Sequence, residues 1–310
     1  MTRLYSDYKY IWEQLDNTMD SLFAFIQQYP MIRMDKYGNI TVANVSEKDS
    51  ATVPVFCCHI DTVHREEPSL ELIKDDVLMS MEGGGVGGDD KCGIIACLEL
   101  LKRVPCKCIF FRDEETGCKG SREYDQDSLK NNLFCIEIDR RGSSDLIFSA
   151  CRGQMCSLEF QERVKKAFPH GEAANGSLTD VCVLDEVGIN MMNLSAGYYR
   201  PHTNKEYVVL SELQRNIDCL VALVEDLRDN PLKDNSYTRS GITYGKYFYK
   251  GSRGYRSYQE AQAAANADAG EDDYLACQYG TGYKRGDGDD GHADYPELPF
   301  GFGAASRSKK

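Results

Sequence analysis

The stretch VPVFCCHIDTVH, residues 53–64, joins an apolar run to residue types that commonly bind metals. The apolar part is short and suits a β-strand that is covered on both faces of a sheet. His59 and Asp61 lie two positions apart at its end, so their side chains should point to the same face. An Asp beside a His can accept the proton of one ring nitrogen and present the other nitrogen to a metal. Taken alone, a histidine at a strand end is more often structural, so the remaining strand ends decide how this one is interpreted.

Further short apolar runs alternate with segments that have helical spacing. The runs CIFF, LFCIEI and INMMNL, at residues 108–111, 133–138 and 189–194, have the composition of buried strands. Residues 8–28, 93–104 and 211–227 place apolar side chains at helical spacing. This alternation predicts a three-layer α/β domain with a mixed, mostly parallel central sheet between helices.

The composition changes abruptly near residue 230. Residues 231–310 contain 10 of the 19 Tyr and 12 of the 27 Gly but only four Leu, Ile or Val. So little aliphatic surface cannot offset the conformational entropy that folding would cost this segment. We therefore predict a folded domain in residues 1–230 and a disordered Tyr/Gly-rich tail in residues 231–310, and we regard the tail as a candidate contact for a protein partner.

The overall charge and hydropathy exclude several classes of partner. A formal net charge of −13 opposes binding to nucleic acid, which needs clustered Lys and Arg. No apolar segment approaches the roughly 20 residues that cross a membrane, and the polar start MTRLYSDYKY lacks the apolar core of a secretory signal. We predict a cytoplasmic protein in which most of the 13 Cys, including Cys57 and Cys58, are reduced and pack as small hydrophobic residues.

Carboxylates and a second histidine follow the other predicted strands. Asp89 and Asp90 lie in GGGVGGDDKCG, Glu114 and Glu115 follow CIFF, and further on come Asp139 and His202. Each has an ordinary alternative, such as an acidic helix start or a solvated turn. The glycine-rich run is not a phosphate loop, because it lacks the GxxxxGK[ST] order and its carboxylates would repel phosphate.

The joint occurrence of these residues is more informative than any one of them. Ligands of open α/β sheets bind beyond the carboxyl ends of the strands, where all of these residues are predicted. Two imidazoles and three carboxylates suit two divalent ions with one bridging carboxylate. The nitrogen ligands favour Zn²⁺, with Co²⁺ and Mn²⁺ as alternatives.

The order HxD, GGDDKxG, DEExG, EID and HxxxEYV resembles that of the co-catalytic zinc exopeptidases, above all the peptidase T-like and carboxypeptidase G-like enzymes. The resemblance runs from about Val53 to Leu210. It implies two zinc ions, with Glu114 as general base and Asp61 orienting a ligand, and a cis peptide between Asp89 and Asp90. The implied ligands are His59 and Asp139 for one ion, Glu115 and His202 for the other, and Asp89 as the bridge.

The chain departs from this family in one place. The family usually carries a lid or dimerisation domain after the strand-end Asp, whereas Arg140 to Gly176 leaves only 37 residues here. We therefore expect a domain without the lid.

The resemblance leaves several functions open. The leading expectation is an aminopeptidase acting on short peptides, since an acidic site suits a free ammonium group. A deacylase or carboxypeptidase acting on an acylated amino acid would use the same metal centre. A non-catalytic metal-binding scaffold with an assembly tail is the alternative from another class.

Overall fold

The computed structural model describes residues 3–14, 19–82, 84–150, 153–184 and 187–238. The helices within these ranges include two long ones, which cover one face of the larger sheet. In chain order they are α1 (Arg3–Ser6), α2 (Lys9–Glu13), α3 (Met19–Ile26), α4 (Gly88–Arg103), α5 (Lys119–Arg122), α6 (Leu158–Ala167), α7 (Asp180–Val183) and α8 (Leu210–Asp229), with 3₁₀ turns at Asp49–Ala51 and Gln126–Leu129.

The strands of the described residues form two sheets. They are β1 (Met31–Met34), β2 (Ile40–Ala43), β3 (Val55–His59), β4 (Leu70–Ile73), β5 (Val77–Ser80), β6 (Lys107–Phe111), β7 (Phe134–Arg140), β8 (Asp145–Ala150), β9 (Gly153–Gln154), β10 (Glu172–Asn175), β11 (Asn190–Ser195), β12 (Tyr198–Tyr199) and β13 (Tyr207–Val209). The larger sheet has the order β1-β2-β6-β3-β7-β11-β8-β10, with β9 paired to β8. Its centre, from β6 through β3 and β7 to β11, is parallel, and its remaining pairs are mostly antiparallel.

Strand β3 shows why the sheet lies between two layers. Phe56 and Cys58 belong to one apolar cluster, and Val55 and Cys57 belong to another. Successive side chains of a strand point to opposite faces, so the two clusters lie on opposite sides of the sheet. All four side chains are fully buried, and the thiols are free, as a packing role requires. The predicted α/β class with a mixed, mostly parallel central sheet is confirmed.

The segment between Arg140 and Gly176 adds strands to the larger sheet. Its described residues form β8, the short β9, α6 and β10, and β8 pairs with β11 and β10. The smaller sheet has the order β12-β13-β5-β4 and is antiparallel. It brings the segment that carries His202, between β12 and β13, beside the start of α4.

Two expectations concern the ends of the chain. The predicted single helix over residues 8–28 is wrong, because α2 ends at Gln14, which has an extended ψ of 146°. Residues 231–238 follow the body as far as a bridge between Ile189 and Ser236, and the rest of the predicted tail lies outside the described residues. Over the ranges described, no helix combines the length and the apolar character needed to cross a membrane.

Candidate metal centre

Three adjacent strands at the centre of the larger sheet place three of the predicted ligands. His59 is the last residue of β3, Asp139 lies near the end of β7, and Glu115 follows β6 by four residues. Because these strands are parallel, their carboxyl ends lie at the same edge of the sheet. Asp89 reaches this edge from the first turn of α4, and His202 reaches it from the segment between β12 and β13.

The two oxygens of Asp89 face different histidines. Its Oδ1 lies 3.0 Å from Nε2 of His59, and its Oδ2 lies 3.1 Å from Nε2 of His202. His202 Nε2 is also 3.0 Å from Oε1 of Glu115, and His59 Nε2 is 3.7 Å from Oδ1 of Asp139. The peptide between Asp89 and Asp90 is cis. The five side chains thus form two adjoining groups that share one carboxylate.

Glu114 lies beside one of these groups. One donor atom from each of His59, Glu114 and Asp139 lies within 4.8 Å of the other two, and the same holds for His59, Asp89 and Glu115. The Glu114 carboxylate can therefore reach whatever His59 and Asp139 hold.

Asp61 organises the turn after β6 as well as the histidine. Its two carboxylate oxygens accept the backbone N–H groups of Glu114 and Glu115, each at 3.1 Å. Nδ1 of His59 lies 3.0 Å from the backbone carbonyl of Asp61 and 3.5 Å from its carboxylate. The nearer partner of the imidazole is thus the carbonyl, whereas the carboxylate fixes the two consecutive glutamates.

Two hydroxyl groups hold Asp139 in place. The Tyr198 hydroxyl donates to Oδ1 at 2.8 Å, and the Thr179 hydroxyl lies 3.1 Å from Oδ2. Thr179 also donates to the buried carboxylate of Glu137, two residues before Asp139 on β7. Neither Tyr198 nor Thr179 belongs to the motifs from which the ligands were predicted, and the contacts of both with Asp139 exist only in the folded chain.

The metal-free site has strongly shifted pKa values. Burial and the nearby Asp139 and Asp180 carboxylates raise the pKa of Glu114 well above its usual range, despite the opposing effect of His59. Burial opposes protonation of His202, but hydrogen bonds to Asp89 and Glu115 raise its pKa to about 11. Burial likewise opposes ionisation of Asp89, but the two imidazoles lower its pKa. These shifts have one cause in common, which is that the gathered carboxylates favour positive charge on the imidazoles.

The donor set fits divalent metal ions. The imidazole nitrogens and carboxylate oxygens point toward each other, and nitrogen together with oxygen donors is the combination that zinc takes in catalytic sites. Burial and the charge of Asp89 raise the pKa of both Glu115 and Asp139, as expected when carboxylates are gathered without a neutralising cation. Bound cations would remove this repulsion.

Three other polar residues that could take part in a site have partners elsewhere. His170 Nε2 lies 2.9 Å from Oδ1 of Asn216, and Arg140 pairs with Asp145 rather than with one of the predicted ligands. Asp180 begins α7 and accepts a hydrogen bond from the Ser121 hydroxyl at 2.6 Å.

Solved structures show where this fold occurs. The chain is similar to the aminopeptidase PepT of Bacillus cereus, with 15% identity and a TM-score of 0.62 over 73% of this chain and 98% of that one. A tripeptidase of Staphylococcus aureus gives 14% identity and a TM-score of 0.58 with the same coverage. A TET aminopeptidase from a marine sediment thaumarchaeon gives 10% identity and a TM-score of 0.59, again with the same coverage. No curated protein matches the sequence.

The fold, the imidazoles and carboxylates gathered beyond the central strand ends, and a match to a peptidase family together define a metallo-exopeptidase. The family model described as peptidase family M28 matches residues 39–207, which is more than half of the chain. The protein therefore belongs to peptidase family M28, whose peptidases are zinc-dependent.

Proposed function

We propose that the protein is a dinuclear zinc aminopeptidase that acts on short peptides. The observation that carries the proposal is the position of Asp89, whose two oxygens each lie within about 3 Å of a different imidazole. A carboxylate placed in this way is suited to bridge two ions. His59 and Asp139 would hold one ion, and Glu115 and His202 the other.

Each remaining residue of the site has a task in the proposed reaction. Bound zinc ions supply Lewis acidity toward the scissile carbonyl and acidify a water molecule. Glu114 takes the proton of the attacking water on its carboxylate and passes it to the nitrogen of the leaving amine. Burial raises the pKa of Glu114, which makes its carboxylate a stronger proton acceptor than an exposed glutamate. Asp61 fixes the backbone of Glu114 and Glu115 and so keeps the base beside the ligand.

The substrate class follows from the charge of the site and from similar structures. A free N-terminal ammonium group is attracted to carboxylates, whereas a C-terminal carboxylate would need basic partners. Of the similar structures, PepT is named an aminopeptidase and the Staphylococcus aureus protein is named a tripeptidase. Since the resemblance in motif order is to peptidase T-like enzymes, we propose short peptides with a free N-terminus as substrates, and a site that works without a lid domain.

One assay separates this proposal from its alternatives. The zinc-loaded protein is given a tripeptide with a free or an acetylated N-terminus, and released amino acids are measured. We expect hydrolysis of the free peptide only. Hydrolysis restricted to the acetylated peptide would indicate a deacylase or carboxypeptidase, and zinc binding without any hydrolysis would favour the scaffold.

The base is tested by Glu114→Gln. We expect a loss of about 10²- to 10⁴-fold in kcat with two zinc ions still bound, because the variant removes only the proton acceptor. Glu123→Gln, at an exposed glutamate shortly after the same turn, is the matched control and should retain full activity. A Glu114→Gln variant as active as the parent would contradict the assigned role.

A further inference from the structure

Glu206 is a buried glutamate that contacts the loop carrying Asp89. Its side chain is 0% exposed, and it lies four residues after His202 and directly before β13. Oε2 accepts the backbone N–H of Gly87 at 2.6 Å, and Oε1 accepts the backbone N–H of Asp89 at 3.1 Å. The carboxylate therefore spans the backbone on both sides of Gly88, directly before the bridging ligand.

His64 is the third partner of Glu206. Its Nε2 lies 3.0 Å from Oε2 of Glu206, and its Nδ1 accepts the backbone N–H of Gly85 at 3.1 Å. Since Nδ1 accepts a hydrogen bond, the ring proton lies on Nε2 and is donated to the carboxylate. The imidazole thus links Glu206 to a second point of the same glycine-rich loop.

The loop packs so closely against this pair that only glycine fits. A Cβ atom on Gly85 would lie 2.4 Å from Cε1 and Nε2 of His64 and 2.7 Å from the carbonyl oxygen of Thr203. One on Gly88 would lie 2.7 Å from Cγ2 of Val208 and 2.8 Å from Cβ of Tyr198. The glycine run therefore lets the backbone reach the Glu206 carboxylate.

We propose that Glu206 and His64 form a positioning unit that sets the place of Asp89 relative to His202, an inference that rests on the proposed dinuclear site. The buried Glu206 carboxylate holds the backbone of Asp89, and Glu206 lies in the same segment as His202. Neither Glu206 nor His64 touches substrate in this assignment. The pair instead affects how tightly the two ions are bound.

Glu206→Gln tests the proposal with little change in shape. Oε2 of Glu206 accepts from Gly87 and His64, whereas Oε1 accepts only from Asp89. In the variant, the amide oxygen should therefore take the Oε2 position, and the amide NH₂ would face the Asp89 N–H, which it cannot accept. We expect zinc affinity, measured by competition with a chromophoric chelator, to fall about 10- to 100-fold, as for other residues that support metal ligands. The visible spectrum of the Co²⁺-loaded variant should also differ from that of the parent, because the bridging carboxylate has moved.

Glu99→Gln is the matched control for loss of a buried carboxylate. Glu99 is also fully buried, accepts hydrogen bonds from Tyr8 and Lys102, and lies about 15 Å further along α4. This variant should be destabilised but should keep the zinc affinity and Co²⁺ spectrum of the parent. Equal losses of affinity in Glu99→Gln and Glu206→Gln would overturn the proposal, because they would show a general effect of stability.

Variants at His64 decide the question even if Glu206→Gln does not fold. His64→Gln can still donate to Glu206 from its amide nitrogen, whereas His64→Asn is too short to do so. We expect the Asn variant to bind zinc more weakly than the Gln variant. If both variants bound zinc as tightly as the parent, the positioning role of Glu206 and His64 would be overturned, whereas the proposed function would stand. A parent protein that binds no zinc would overturn the proposed function together with it.

Discussion

At the scale of single residues, the two neighbouring tyrosines of β12 have different tasks. Tyr198 donates to the predicted ligand Asp139, whereas Tyr199 donates to Glu212 at 2.5 Å and stacks on Tyr207. The same residue type thus contacts the candidate metal site at one position and packs away from it at the next, because successive side chains of a strand point in opposite directions.

This difference gives a matched pair of variants. Tyr198→Phe removes the hydroxyl that holds Oδ1 of Asp139, and we expect zinc affinity to fall about 10-fold or more. Tyr199→Phe removes a hydroxyl from the adjacent residue and should leave zinc affinity unchanged. Chelator competition measures both, and equal affinities in the two variants would show that Tyr198 does not position the ligand.

The buried Asp180 predicts a pH-dependent stability. Burial raises its pKa to about 7 from an ordinary value of 3.8, against the opposing hydrogen bond from Ser121. Between these two pKa values the folded state binds more protons than the unfolded state, so stability should fall as pH rises, by about 1.4 kcal/mol per pH unit for this one group.

Asp180→Asn isolates that contribution. An amide cannot ionise, and its oxygen can still accept from Ser121. Urea unfolding of the metal-free protein at pH 4.5, 6 and 7.5 should show the parent losing stability relative to the variant as pH rises. A difference between the two proteins that does not change with pH would contradict the assignment.

At the scale of elements, the β1–β2 hairpin supports the turn that carries Glu114 and Glu115. Asn39 is fully buried, accepts the backbone N–H of Arg112 at 3.1 Å and donates to the carbonyl of Gly120 at 2.9 Å. It therefore joins both ends of this turn to the hairpin. Tyr37 adds one outer contact, a hydrogen bond of 2.6 Å from its hydroxyl to Asp113.

Asn39→Ala should destabilise the protein by about 2 to 4 kcal/mol, because it removes the acceptor of the Arg112 N–H and one of the two donors to the Gly120 carbonyl, which keeps only the Glu123 N–H. Tyr37→Phe removes a single hydrogen bond at the edge of the same turn and should cost about 1 kcal/mol. Both values come from urea unfolding of the metal-free protein. Equal costs would mean that the hairpin does not brace the turn through Asn39.

Sequence patterns predicted the central elements better than the peripheral ones. Strands β3, β6, β7 and β11 are buried along most of their length and each contains a run rich in apolar residues, so these runs stand out in the sequence. The smaller sheet was not predicted, because β4 is only half-buried and its alternation is correspondingly weak. The helix predicted over residues 8–28 was wrong, because α2 and α3 share one apolar pattern and periodicity carries no sign of the extended residue Gln14.

The site shows the same limit. The five candidate ligands could be proposed because each was predicted at or just after the end of a strand, and the resemblance in motif order then implied a role for each: His59, Asp89, Glu115, Asp139 and His202. Glu206 was missed as a partner of His64, because 142 residues separate them and neither carries a local signal. Thr179 was missed for the same reason, since its link to Asp139 exists only after folding.

At the scale of the whole molecule, both apolar clusters are formed by residues between Leu4 and Leu232. The chain after α8 continues to contact this body. Leu232 is 9% exposed, the carbonyl of Asn235 accepts from the Asn190 side chain at 3.2 Å, and the Tyr237 N–H donates to the carbonyl of Gly188 at 2.9 Å. These contacts brace the entry into β11, which lies at the centre of the sheet.

Two truncations therefore have different expected outcomes. A chain of residues 1–238 keeps every contact just described, so its free energy of unfolding and its binding of two zinc ions should equal those of the full chain. A chain of residues 1–230 loses the apolar contact of Leu232 and the hydrogen bonds to the segment before β11, which should cost about 2 to 4 kcal/mol. Urea unfolding and zinc titration of both chains measure these quantities. A chain of residues 1–238 that failed to fold or to bind zinc would show that the remaining 72 residues contribute to the core or to the site. The expectation that the folded body ends near residue 238 would then be wrong.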